Sequence, residues 1–327
     1  MMDGILNVYK EKGYTSHDVV ARLRGILRMK KIGHTGTLDP EAEGVLPVCL
    51  GQATKLCDLL TDKSKTYRAV LLLGRETDTQ DTTGRTLREC PVEVQEAQVC
   101  AVISGFVGKY MQIPPMYSAR KVNGKKLYEL ARAGKEVARE AREVEISDIQ
   151  IDGIELPRVT MTVSCSKGTY IRTLCHDIGE TLGCGGCMEY LLRTRVGSFA
   201  LADSLRLDEI EALRDRGNLE RHILAVDAAF ADLPRLTVRP QGDKLVNNGN
   251  PFAPELADMG TDAVSAGVLE TSYDGNLWPR AARVYDSCGH FIGIYDYEAG
   301  KRRYKPRKVF LGGNQVCGRS QGQESLK

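Results

Sequence analysis

One segment of the 327-residue chain combines a carboxylate with the backbone freedom to present it: Gly33-His34-Thr35-Gly36-Thr37-Leu38-Asp39-Pro40. Two glycines permit close backbone approach or positive φ, and Pro40 drives Asp39 out of the helical region toward an extended conformation. A carboxylate held on such a loop is ionised at neutral pH and can act as a nucleophile or a general base. The same residues also read as a helix start, with Asp39 as N-cap, Pro40 at the first helical position and Glu41 and Glu43 as first-turn acids. That helix would end almost at once, because Gly44 and the apolar run VLPVCLG follow. A phosphate-binding loop is excluded by the missing Gly-Lys-Ser/Thr ending.

Two other features could carry chemistry. Cys175-His176 followed by Cys184-Gly-Gly-Cys187 is half of a tetrahedral zinc site, but a second pair at finger-like spacing is missing, so no metal is expected. The ten cysteines are scattered along a long chain with no signal pattern and read as reduced thiols. Basic residues concentrate in two runs. Residues 117–142 hold eight Lys or Arg, among them Arg120, Lys125 and Lys126, against three Glu, and residues 301–308 hold six cations and no acid. Tyr128 and Tyr304 lie within these runs, where aromatic rings could stack on bases. Over the whole chain 45 Lys and Arg face 43 Asp and Glu, a net charge of +2. That balance argues against a uniformly basic nucleic-acid coat and allows a basic face.

The elements that must position these residues follow from hydrophobic period. After a short apolar strand, Ser16 is the expected N-cap of a helix carrying Val19, Val20, Leu23 and Leu27 on one stripe. VLPVCLG and KTYRAVLLLG read as strands, ETDTQDTTG as a polar loop, and 92–107 as an amphipathic helix. Alternation at Val159, Met161, Val163 and Cys165 predicts a half-buried strand. Ile171, Leu174, Cys175, Ile178 and Leu182 then form one stripe of a helix. A pattern of short strands and turns begins near 233.

Hydrophobic residues make up 42% of the chain and charged residues 27%, a composition of globular rather than disordered or collagenous proteins. No run approaches the ~20 apolar residues that span a bilayer, and the N-terminus lacks a basic-then-apolar signal. A cytoplasmic location is expected.

GHTGTLDPEAEGVLPVCLGQATK strongly resembles the catalytic motif of the TruB family, the tRNA pseudouridine-55 synthases. KTYRAVLLLGRETDTQDTTG, QIPPMYSARKVNGKKLYELARAGKEV, SKGTYIRTLCHDIGETLG and YLLRTRVGSF resemble its further blocks, in the family's order, over roughly residues 4–215. The resemblance implies a mixed α/β (α+β) fold: a pseudouridine-synthase catalytic domain with a largely antiparallel sheet over 1–232, carrying a thumb-like RNA-binding insertion about 117–142. A small mostly-β PUA-like domain over 233–311 and a flexible tail over 312–327 would follow. It implies isomerisation of uridine 55 in the T loop of tRNA, with no cofactor. Asp39 matches the catalytic aspartate, Arg172 the arginine that pairs with it and keeps it charged, and Tyr67 the active-site tyrosine that packs on the target base. Tyr170 and Leu191 match residues lining the uridine pocket. His34 matches a histidine that contacts RNA where the uridine leaves the stack, as base flipping requires. Lys10, Arg120, Lys125 and Lys126 are the cations assigned to RNA. Where the family commonly has Lys-Pro-x-Gly, this chain has Lys10-Glu11-Lys12-Gly13, so the turn loses a rigid proline. The implied partner is the tRNA T-arm, bound by a monomer without a membrane or protein partner. The alternative is a non-catalytic tRNA-folding chaperone on the same scaffold.

Overall fold

Period and capping set the elements. The structure is a computed structural model that describes residues 2–118, 120–122, 124–260, 269–271 and 277–310, so the expected tail 312–327 lies outside the described residues. The first helix, Ser16–Leu27, is capped by Thr15 rather than Ser16: the Thr15 hydroxyl accepts from the Asp18 amide at 3.1 Å and the Asp18 carboxylate accepts from the Thr15 amide at 2.8 Å. This reciprocal pair satisfies two backbone donors at the helix start. Ser16 is thereby freed for another role. Val19, Val20, Leu23, Ile26 and Leu27 form the buried stripe.

Two compact units divide the described chain, one within 7–48 and 57–219, the other within 2–6, 49–56 and 220–310. In the first, Glu43–Leu50, Gly186–Val196, Lys65–Leu73, Arg158–Cys165, Arg142–Glu155 and Gly108–Gln112 are successive strands of one sheet. Pairing is antiparallel except where Gly186–Val196 runs parallel to Glu43–Leu50. Lys65–Leu73 and Arg158–Cys165 alternate as their period demands, turning Tyr67, Ala69, Leu71 and Val159, Met161, Val163 inward. Helix Ile171–Thr181 lays Ile171, Leu174, Cys175 and Ile178 on that face. Each such aliphatic side chain contributes about 1.5–3 kcal/mol on full burial.

Two glycines set how tightly these parts meet. A Cβ at Gly179 would lie 2.2 Å from the Gly186 backbone nitrogen, so the helix can approach the strand only through glycine. Gly44 adopts φ +104°, and a Cβ there would lie 2.2 Å from the Arg193 carbonyl oxygen. The expected helix over 92–107 is shorter, Glu96–Ser104. Val92 and Val94 precede it in non-helical chain and pack on the core instead, following the alternation of Val92-Glu93-Val94.

The second unit is mostly β. Ala257–Met259, Arg235–Val238, Ala281–Tyr285, Phe291–Glu298 and Arg303–Val309 form its five-stranded sheet around Tyr295, Tyr304 and Phe252. Here one expectation is corrected. Tyr304 is not available for base stacking: it is fully buried, its hydroxyl donates to the Pro279 carbonyl at 2.9 Å, and its ring stacks on Phe252. The 301–308 run is also less basic than its sequence, because neighbouring strand and loop residues supply acids. Arg302 pairs with Glu255, Arg303 and Lys305 with Glu298, and Arg307 with Asp296.

Candidate active site

Asp39 sits in a turn rather than at a helix start, so the capping reading falls away. Ser16, released from capping, accepts the Leu38 amide at 2.9 Å and ties the loop to the first helix. Lys10 holds the other side. It is fully buried, and its ammonium donates to the carbonyls of Glu11 at 3.1 Å, Pro40 at 3.1 Å and Ala42 at 2.6 Å. This corrects the assignment of Lys10 to RNA: three donors spent on carbonyls leave none for a phosphate. Burial lowers its pKa to about 8. Lys10 is a clamp on the Asp39 turn.

Arg172, in the first turn of helix Ile171–Thr181 and 4% exposed, meets the aspartate from the other direction. Its Nε lies 3.0 Å from Asp39 Oδ2, and its Nη2 donates to Asp39 Oδ1 at 3.2 Å, a two-point grip. The same guanidinium donates to the carbonyls of Thr79 at 3.1 Å and Tyr117 at 2.7 Å, and lies 3.6 Å from Asp81. Asp81 belongs to the polar loop ETDTQDTTG, whose sequence offers no sign that one of its acids reaches a buried arginine. Tyr170, just before the helix, is fixed through its backbone by Gln112, which accepts its N–H at 2.8 Å and donates to its carbonyl at 3.0 Å. Both Asp81 and Gln112 escaped sequence reasoning.

Asp39 and Arg172 open onto a cleft of about 250 Å³. Asp39, Tyr67, Tyr170, Leu191 and Arg172 are brought together in its wall, joined by Ser118, Lys65 and Arg193, which the sequence did not single out. Arg193 is 1% exposed, donates to the backbone oxygens of Val45 at 2.7 Å and Gly36 at 3.4 Å, and interacts electrostatically with Tyr67. An arginine in an apolar strand signals a buried cation only once the strand is known to be central. His34 is absent from the cleft lining. It is half-buried at the end of the short strand Ile32–His34, ahead of the Asp39 loop and edge-on to His17 with ring centroids 5.2 Å apart. Arg120, Lys125 and Lys126 lie outside the cleft, in or beside the hairpin Lys121–Val122 with Lys125–Lys126. Lys126 and Arg132 lie over the Tyr128 ring at 5.3 and 5.5 Å.

The charges are tuned by burial. Loss of water pushes the Asp39 carboxyl above its ordinary value, Arg172 and Lys10 pull it back, and Asp81 pushes it further up. Tyr67 is raised by burial against the opposing pull of Arg193. Burial, His17 and Arg193 all lower His34, favouring a neutral ring. Lys65 falls to about 8 for the same reason, with its ammonium on the carbonyls of Thr61 and Lys63. Cys175, Cys184 and Cys187 are buried free thiols, all raised by burial.

A carboxylate gripped by arginine beside a buried tyrosine, on this order of motifs, is matched by two family descriptions that meet at Arg172: the TruB family pseudouridylate synthase N-terminal domain over 24–171 and the tRNA pseudouridylate synthase B C-terminal domain over 172–231. The chain belongs to the TruB family. A protein named tRNA pseudouridine synthase B from Lachnoclostridium phytofermentans is 51% identical over 326 residues, covering 95% of this chain and all of that protein. Its namesake from Bacillus subtilis is 47% identical over 321 residues, covering 95% and 98%. Among solved structures, a Cbf5-Nop10-Gar1 complex is similar at a TM-score of 0.70 and 25% identity, covering 94% of this chain and 84% of that one. An H/ACA RNP bound to a substrate RNA containing 2′-deoxyuridine is similar in fold at a TM-score of 0.70 and 24% identity, covering 94% and 85%. The TruB family thus carries the mixed α/β fold with its largely antiparallel sheet.

Proposed function

We propose that this TruB-family chain isomerises uridine 55 in the T loop of tRNA to pseudouridine. The observation that carries the reading is the paired grip of Arg172 on both oxygens of Asp39 inside a cleft of about 250 Å³ walled by Tyr67 and Leu191. The reaction breaks the N1–C1′ bond, turns the base and forms a C5–C1′ bond; the proton lost from C5 is balanced by the one gained at N1. Nothing is added or removed, so no cofactor is needed. Asp39 faces the ribose as nucleophile at C1′ or as base toward its 2′ position. Arg172 keeps it aimed, and Tyr67 packs against the base and serves the C5 proton. Tyr170 and Leu191 line the base site, and His34 takes the stacking place of the flipped uridine.

The 117–142 insertion, with Arg120, Lys125 and Lys126, grips the T-arm, and residues 233–311 act as a PUA-like RNA-binding domain after a catalytic domain over 1–232. The enzyme works as a cytoplasmic monomer; among the described residues no helix is long and apolar enough to cross a membrane. Incubation with unmodified tRNA followed by pseudouridine mapping tests the reading. Product at position 55, lost in Asp39→Ala, is the expected result; no product, or full activity in Asp39→Ala, overturns it.

A further inference from the structure

Ser118 is a polar side chain in the wall of the catalytic cleft. The residue is 4% exposed, and its hydroxyl is buried with no hydrogen-bond partner among the described residues. Its backbone, by contrast, is fully used: the amide donates to Met116 at 3.0 Å and the carbonyl accepts from Tyr128 at 3.1 Å. Burying a hydroxyl without a partner costs stability, and native folds rarely leave one so. An alanine would fit the same space without that cost. A hydroxyl retained there fits a bond made only when the cleft is filled.

Its place in the cleft says which part of a nucleotide it meets. The neighbouring Tyr117 carbonyl accepts from Arg172 Nη2, and the same nitrogen donates to Asp39 Oδ1. Ser118 is therefore on the Asp39–Arg172 side, where the ribose must lie for the carboxylate to act on it. Tyr67 and Leu191, which serve the base, are held on the strands Lys65–Leu73 and Gly186–Val196. From this placement we propose that the Ser118 hydroxyl is a substrate-positioning group that donates a hydrogen bond to a sugar or phosphate oxygen of the flipped nucleotide. This rests on the pseudouridine-synthase reading and names a further contact within it. Since Ser118 also begins the basic insertion, the bond ties the gripping segment to the reacting sugar.

Ser118→Ala and Ser118→Thr test it, with thermal unfolding and single-turnover kinetics on a T-arm stem–loop. Ser118→Ala keeps or raises Tm, because no protein hydrogen bond is lost, while its kcat/KM falls about three- to tenfold, the worth of one neutral hydrogen bond; Ser118→Thr recovers most of it. Affinity for stem–loops carrying 2′-deoxyuridine, or a methylphosphonate beside the target, then separates ribose from phosphate. The substitution that removes the true acceptor weakens parent binding and weakens Ser118→Ala binding no further. A Ser118→Ala enzyme within twofold of the parent overturns the inference, as does a Tm loss that accounts for the activity loss, or full additivity with both modified RNAs. Inactivity of the parent itself would instead overturn the reading of function.

Discussion

At the scale of single residues the site is a partly buried charge network in which each partner sets the others. Arg172 is shared between Asp39 and Asp81 while two backbone carbonyls hold its remaining donors. Removing one acid should therefore redistribute the grip rather than dissolve it. Asp81→Asn is expected to lower single-turnover rates about tenfold by loosening the arginine, a loss of about 1.4 kcal/mol. Its pH profile carries a second signature. In the proposed mechanism Asp39 acts as its carboxylate, so its raised carboxyl predicts that activity is lost as pH falls through a value above that of an ordinary aspartate. The Asp81 charge raises Asp39, so Asp81→Asn moves this acid limb to lower pH. An unmoved limb, measured from mildly acidic to neutral pH, would remove Asp81 from the electrostatics of the site.

At the scale of elements, the geometry of the site depends on how closely helix Ile171–Thr181 packs on strand Gly186–Val196. Gly179 lets the two backbones touch, and the helix carries Arg172 at its other end. Gly179→Ala forces a Cβ into the Gly186 backbone, a clash that no side-chain rotation relieves. Overpacking of this kind costs about 1–3 kcal/mol. Thermal unfolding should show that loss, and kcat should fall as well because Arg172 moves with its helix. A variant with lowered Tm and unchanged kcat would show that the helix tilts about its Arg172 end. The strands and this helix were legible from period alone, since alternation and the three-four stripe report directly which side faces a core. Helix ends were less so: Ser16 and Thr15 are both good caps, and the choice between them was made by the Leu38 amide, which only the fold brings within reach of Ser16.

At the scale of the whole molecule, the net charge of +2 conceals unlike parts, and the two basic runs prove different in kind. The cations of 301–308 stand among acids: Asp296, Glu298 and Glu255 pair with four of them, Glu298 with two. In the 117–142 insertion, Lys125 is exposed and no acid is paired with it or with Lys126 among the ion pairs of the described residues. Reversing Lys125 and Lys126 to glutamate should weaken tRNA binding and flatten its dependence on salt by about one slope unit for each phosphate no longer neutralised. Reversing Arg303 and Arg307 should alter that slope less. Equal slopes for both variants and the parent would remove the insertion from the interface.

The sequence by itself determined the family, the reaction class and the residues that meet in the cleft, because ordered motifs and hydrophobic period are local properties of the chain. Asp39, Tyr67, Tyr170, Arg172 and Leu191 all stand within those motifs. Only the tertiary structure decided what each cation does. Lys10 reads as a surface lysine until three carbonyls close on it, Arg193 as a strand residue until Tyr67 and the Gly36 loop reach it, and Tyr304 as a stacking ring until a core forms around it. Charge and hydrogen bonding depend on partners distant in sequence, and burial alone settles whether a basic side chain serves the fold or the RNA.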